Sequence, residues 1–280
     1  IILSALEFLK NESFLILCFF LILSIGISHG ALDHLKGKKL LKIFKIKNIF
    51  IFYIGYIAIS LFVIICWILM PKATLTIFLL IACYHFGKED TDFLIKKKNF
   101  LVNLLFALKG SIIIISPLLF NFEDTADIFQ LLNFDISILR INQIFLYSIL
   151  LLSFLSNIAL SLNQKIDFKS LIMMDFISIL ILNYFLNPIL AFTIYFCFLH
   201  SLRHSFSLIF ELNNNFNRGA IMFIKKALPL TIATVVIYII TFYYLTNLFG
   251  IDEAMYKLIF IGLASLTFPH ILLEYLLEKK

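Results

Sequence analysis

Apolar segments long enough to cross a lipid bilayer recur along almost the whole chain. Hydrophobic residues make up 62% of its 280 residues, and the mean hydropathy is +1.02. A spanning helix needs about 20 predominantly apolar residues. A search at this length finds segments at 12–34, 48–70, 73–92, 99–120, 139–161, 170–187, 189–211, 220–247 and 254–277. The sequence therefore predicts an all-α integral membrane protein, a polytopic bundle of about nine transmembrane helices that forms a single domain over residues 1–280.

Charged residues between the segments are distributed unevenly. Lysine and arginine are concentrated in the connections after the first, third, fifth and seventh segments, and acidic residues in most of the others. Since cytoplasmic connections are enriched in basic residues, this pattern predicts an outside N-terminus and a cytoplasmic C-terminus. The same placement accounts for the formal net charge of +6, so we do not expect nucleic-acid binding.

All six histidines lie in or at the ends of apolar segments: His29, His34, His85, His200, His204 and His270. Ionisable residues at membrane depth are costly, which makes each one a functional candidate. His200 and His204 are four residues apart, so a helix places both imidazoles on one face. This spacing is typical of metal ligands and predicts a membrane-embedded metalloprotein. Imidazole suits iron, zinc, copper or nickel, whereas the dispersed cysteines argue against a structural zinc site.

Three carboxylates lie four residues after a histidine, in the pairs His29 and Asp33, His85 and Glu89, and His270 and Glu274. A carboxylate beside a metal-binding histidine can accept its second ring N–H and offset the charge of the metal. Pairs at this spacing also arise by chance, and a histidine at a helix end, such as His34, is often a capping or headgroup-facing residue. Spacing alone leaves both interpretations open.

Four short motifs carry these residues: Gly26-Ile-Ser-His-Gly-Ala-Leu-Asp-His34, Tyr84-His-Phe-Gly-Lys-Glu-Asp90, Cys197-Phe-Leu-His-Ser-Leu-Arg-His204 and Thr267-Phe-Pro-His270. In the content and order of these motifs, and in its apolar bundle, the chain resembles the Brp/Blh family. Members of that family are bacterial and archaeal membrane β-carotene dioxygenases that supply retinal to rhodopsins.

The resemblance implies a non-haem Fe(2+) centre with four ligands, His29, His85, His200 and His204. Supporting roles are expected for Asp33, His34, Glu89, Asp90, His270 and Glu274, and no catalytic residue beyond the metal centre is expected. The implied reaction is cleavage of β-carotene by O2 at its central double bond, which yields two all-trans-retinal molecules. The implied location is the bacterial or archaeal cell (inner) membrane, multi-pass in the lipid bilayer, with a retinal-binding rhodopsin as candidate acceptor of the product.

Two other functions fit an apolar, histidine-bearing chain. One is a di-iron membrane hydroxylase or desaturase acting on a lipid. Such enzymes carry several paired-histidine motifs, whereas this chain has a single HxxxH motif. The other is a membrane transporter that carries a metal or haem, although no internal repeat typical of transporters is apparent. Iron stoichiometry and a haem Soret band separate these alternatives from a mononuclear dioxygenase.

Overall fold

A computed structural model describes residues 13–91, 95, 99–162 and 164–279, apart from the side chains of Ser13, Ser28, His29 and Ile141. Its α-helices are α1 Ser13–Leu21, α2 Asp33–Ile43, α3 Phe50–Leu69, α4 Pro71–Glu89, α5 Phe100–Gly110, α6 Ile112–Phe120, α7 Phe122–Leu131, α8 Ser137–Ile141, α9 Gln143–Ser161, α10 Ile166–Phe185, α11 Pro188–Ile194, α12 Leu202–Leu212, α13 Phe216–Thr246 and α14 Ile251–Glu278. The described residues contain no strand, so the predicted all-α class is confirmed.

Seven helical stretches of the described chain are long and apolar enough to cross a membrane: Phe14–Ile43, Phe50–Leu69, Phe100–Phe120, Gln143–Ser161, Ile166–Phe185, Phe216–Thr246 and Ile251–Glu278. The two remaining predicted segments, 73–92 and 189–211, are also largely helical. However, α4 carries Lys72 and Lys88 at its ends, and the second segment is divided by a π-helical turn. The count of about nine spans and the orientation therefore stay predictions.

Several of these helices expose apolar side chains over most of their surface. Ile54 and Phe62 on α3 and Ile240 on α13 are each more than 60% exposed. Apolar patches of this extent are rare on soluble monomeric proteins and mark surfaces that contact a membrane or a partner. Their exposure supports the prediction of a protein embedded in lipid.

Several helix ends fall at or next to the boundaries of the predicted apolar segments. The helices α4 and α11 begin at Pro71 and Pro188, where the missing N–H costs no helical hydrogen bond. The Asn187 side chain accepts the N–H of Leu190 at 3.0 Å and caps α11. The acidic stretch 123–127, which lies between the predicted segments 99–120 and 139–161, is inside α7. Glu123 and Asp124 stand in its first turn, where the helix dipole favours negative charge.

The chain is organised as two compact units. The first combines the described parts of Ile1–Thr74 and Ser201–Lys280, and the second comprises those of Leu75–His200. In the first unit, α14 packs against α2, α3 and α13. In the second, α9 packs against α5 and α6, and its core contains the apolar cluster of Ile115, Leu118, Ile136 and Leu146. The single domain expected from the sequence stays a prediction.

Helices α4 and α5 make a close crossing at two glycines of the second unit. A Cβ atom on Gly87 would overlap the carbonyl oxygen of Phe106, and one on Gly110 would overlap that of Cys83. Small residues permit such backbone contact between helices in membranes. The crossing fixes the end of α4 that carries His85.

Replacement of Gly87 by alanine is expected to destabilise the protein by about 1–3 kcal/mol, the usual cost of overpacking, because both clashing partners are backbone atoms. Thermal unfolding in detergent measures this effect. Gly55→Ala on α3 is the matched control, since a Cβ there meets nothing within 4 Å. Equal melting temperatures for the two variants would show that the crossing does not need a glycine.

Candidate metal site

Two of the histidine motifs lie where the chain departs from α-helical geometry. His200 is in a π-helical turn, Tyr195–Ser201, and His204 follows in the first turns of α12. The first motif overlaps a π-helical turn, Ile22–Gly26, and a 3-10 helix, Ser28–Leu32. The Ser201 hydroxyl donates to the carbonyl oxygen of Gly26 at 3.2 Å, which joins these motifs within the first unit. Wide π turns occur often at functional sites.

In the second unit, the structure brings together two predicted iron ligands. His85 and His200 are both buried, and their ring centroids are 5.4 Å apart with the rings inclined by 69°. Phe86 meets the His200 ring edge-on at 4.8 Å, while Phe196 stacks on it at 5.9 Å. These aromatic contacts hold the imidazole of His200 in one orientation and keep water from its faces.

A buried hydrogen-bond chain orients the same imidazole. The Nδ1–H of His200 donates to Oδ1 of Asp90 at 3.1 Å, and the hydroxyl of Tyr195 donates to Oδ2 of the same carboxylate at 2.7 Å. We assign the proton to Nδ1 because an ionised carboxylate only accepts hydrogen bonds. In this tautomer Nε2 carries no proton, and its lone pair can bind a metal.

The first unit contains a second hydrogen-bond chain, of the same kind as the one around His200. The Nδ1–H of His270 lies 2.9 Å from both carboxylate oxygens of Asp33, and the hydroxyl of Tyr56 lies 3.0 Å from Oδ2. Both Asp33 and His270 are buried. His204 lies beside His270. Their ring centroids are 6.2 Å apart, and the two rings are nearly perpendicular.

Glu274 lies one helical turn after His270 on α14. Its Oε1 is 2.6 Å from Nζ of Lys36 and 3.6 Å from Nε2 of His270. The second distance is too long for a hydrogen bond. The four-residue spacing predicts Glu274 beside His270, and the structure shows this proximity.

The remaining predicted residues are distributed as follows. The side chain of His29 lies outside the described part of the structure. His34 is half-buried, and its Nδ1 is 3.0 Å from the carbonyl oxygen of Ala31. Glu89 is half-buried near the end of α4. Spacing suggested Asp33 as a partner of His29, but the described structure places Asp33 against His270.

Sequence reasoning missed three residues of this region: Tyr56, Tyr195 and Lys36. The two tyrosines sit in apolar helical segments and have no distinctive spacing to the motifs, although a polar hydroxyl in such a segment usually has a partner. Lys36 falls in the basic connection that follows the first predicted segment. The structure instead places it inside α2 with its side chain only 17% exposed.

The chemistry of these side chains fits a divalent metal. Metal-binding histidines commonly donate their second ring N–H to a carboxylate, which fixes the tautomer and raises the basicity of the ligand. His200 and His270 both show this arrangement. Buried imidazoles with adjacent carboxylates are suitable ligands for iron, and the described residues offer no thiolate-rich alternative.

Comparisons with known proteins show which family the chain belongs to. The sequence model of a family described as Beta-carotene 15,15'-dioxygenase matches residues 20–278, a range that includes all four motifs. A Beta-carotene 15,15'-dioxygenase of Uncultured marine bacterium 66A03 is 30% identical over 261 residues, which cover 90% of each chain. No solved structure gives a significant match. The resemblance to the family is thereby confirmed, and the chain belongs to the beta-carotene 15,15'-dioxygenase family.

Proposed function

We propose that this protein cleaves β-carotene with O2 at the central carbon–carbon double bond and releases two molecules of all-trans-retinal. Each carbon of the broken double bond takes one oxygen atom, so the two aldehydes account for both atoms of O2 and no external reductant is required. The observation that carries the proposal is the family match over residues 20–278.

We propose Fe(2+) as the cofactor and His29, His85, His200 and His204 as its ligands, as the resemblance implies. When bound, iron supplies the redox-active centre at which O2 becomes reactive toward the polyene. The carboxylate of Asp90 holds the proton of His200 on Nδ1, so that Nε2 is presented as a ligand atom. The rings of Phe86 and Phe196 exclude water from that imidazole.

The lipid bilayer is the proposed source of the substrate. β-Carotene is apolar and dissolves in the hydrocarbon region of a membrane, and the protein exposes apolar helices that suit the same environment. We propose a multi-pass location in the bacterial or archaeal cell (inner) membrane. A retinal-binding rhodopsin is the proposed acceptor of the product.

The proposed reaction is tested in bacterial cells engineered to accumulate β-carotene. Expression of this chain is expected to remove the orange colour and to produce retinal, measured by chromatography of the extracted pigments. Purified protein should contain one iron per chain and show no Soret band. Unchanged β-carotene in cells that contain iron-loaded protein would refute the reaction, and two irons per chain would favour a di-iron hydroxylase.

A further inference from the structure

The His270 region repeats the arrangement that surrounds a proposed iron ligand. Around His200, a tyrosine hydroxyl donates to a buried aspartate, and that aspartate accepts Nδ1–H of the imidazole. Around His270, Tyr56 and Asp33 take the same two positions, and the carbonyl oxygen of Leu266 at 3.2 Å is a second acceptor within reach of the Tyr56 hydroxyl. The two histidines lie in different compact units and in unrelated stretches of sequence, so local helix periodicity does not explain the repetition.

We infer that His270 is itself a metal ligand, in addition to the four histidines that the family resemblance implies. This inference rests on the proposed function, because the metal that it concerns is the proposed Fe(2+). The Asp33 carboxylate 2.9 Å away holds the proton of His270 on Nδ1. This tautomer leaves Nε2 with the lone pair that a metal ligand needs.

The neighbours of His270 also favour a cation. Two carboxylates flank the imidazole, Asp33 on the Nδ1 side and Glu274 with Oε1 3.6 Å from Nε2. Lys36 forms an ion pair with Glu274 at 2.6 Å and offsets that charge. The Asp33 charge is then adjacent to His270 in a buried region, where an uncompensated charge is costly. A divalent metal on Nε2 would compensate it through the imidazole.

The relation between His204 and His270 gives independent support. Their ring centroids are 6.2 Å apart at an interplanar angle of 86°, while those of His85 and His200 are 5.4 Å apart at 69°. Thus each unit presents a pair of steeply inclined imidazoles with one member held by an aspartate. In both pairs the held imidazole is almost completely buried.

The rival explanation is that His270 is a protonated imidazolium that only neutralises Asp33 and Glu274. Metal binding separates the two explanations. If His270 is only an imidazolium, replacing it destabilises the first unit but leaves the metal affinity of the folded protein unchanged. If His270 is a metal ligand, replacing it changes both the affinity of the protein for the metal and the absorption spectrum of a bound transition metal.

The experiment uses the purified full chain, with iron exchanged for cobalt(II) as a spectroscopic probe. His270→Asn is expected to weaken cobalt binding by more than tenfold and to change the visible absorption per bound cobalt. Asp33→Asn is expected to weaken binding by about 10–100-fold, the usual effect of removing the carboxylate partner of a ligand. Ser265→Ala is the matched control on α14, since its buried hydroxyl bonds only to the carbonyl of Gly262 in the described structure.

Folded His270→Asn protein with the cobalt affinity and spectrum of the unmodified chain would overturn the inference. If that variant fails to fold, unchanged cobalt affinity in Asp33→Asn overturns it instead. The proposed function is judged separately on the unmodified chain. If the unmodified chain forms retinal and His270→Asn binds cobalt as the unmodified chain does, only the role of His270 is rejected. If cobalt binding depends on His270 but the unmodified chain does not cleave β-carotene, only the reaction is rejected.

Discussion

Replacing His200 with alanine is expected to abolish retinal formation and to lower the iron content of the purified protein. The imidazole of His200 is buried, held by Asp90 and enclosed by Phe86 and Phe196. Removal of the ring deletes a proposed iron ligand and leaves the Asp90 carboxylate without the N–H that it accepts. Pigment analysis in β-carotene-producing cells measures the first effect, and metal analysis of folded protein measures the second.

A control must show that these losses do not come from the cavity that the substitution creates. Leu146→Ala serves this purpose, because Leu146 is a fully buried side chain in the core of the same unit. Large-to-small substitutions of this kind cost about 2–5 kcal/mol of stability. Folded Leu146→Ala protein should keep its iron and its activity. If His200→Ala retained both, His200 would not be a ligand.

Asp90→Asn is expected to weaken metal binding by about 10–100-fold and to reduce retinal formation in parallel. The amide is neutral, so it no longer offsets the charge of the metal or raises the basicity of His200. It also presents an N–H group where Tyr195 now donates its hydroxyl proton at 2.7 Å. Metal affinity is measured by competition with a chelator, and activity by retinal yield per folded protein.

Two variants show which part of the Asp90 effect is specific. Tyr195→Phe removes one hydrogen bond to the charged carboxylate, worth about 1.5–3 kcal/mol of stability, but it leaves the Asp90 charge and the Asp90–His200 hydrogen bond in place. It should therefore weaken metal binding less than Asp90→Asn does. Asp175→Asn neutralises another buried carboxylate of the same unit, on α10 and outside the four motifs. Equal losses in Asp90→Asn and Asp175→Asn would attribute the effect to buried charge in general and not to the orientation of His200.

The two tyrosine–aspartate–histidine chains show how imidazoles are held in one orientation in a mostly apolar protein. Imidazole alone rotates about its side-chain bonds, and hydrocarbon surroundings offer few polar groups to hold it. In each unit a buried carboxylate supplies that restraint, and a tyrosine hydroxyl restrains the carboxylate in turn. Networks of this kind fix orientation when every member is hydrogen-bonded.

The sequence by itself predicted lipid surroundings and the helical class, and it selected the histidine motifs as the candidates for the chemistry. Apolar length predicts membrane helices because a lipid bilayer leaves the backbone few ways to satisfy its hydrogen bonds. Pro71 and Pro188 mark helix starts since proline lacks the N–H that a helix interior needs. The histidine motifs identified the family, and comparison with known proteins confirmed it.

Only the tertiary structure decided which carboxylate holds which histidine. Helix periodicity relates residues four positions apart, so it pointed to Asp33 for His29 and to Glu89 for His85. The described structure instead joins Asp90 to His200 across 110 residues and Asp33 to His270 across 237 residues. The spacing of His200 and His204 also assumes a regular α-helix, whereas His200 lies in a π turn. Contacts between helices depend on how their surfaces pack, and this packing is not encoded in the period of any one helix.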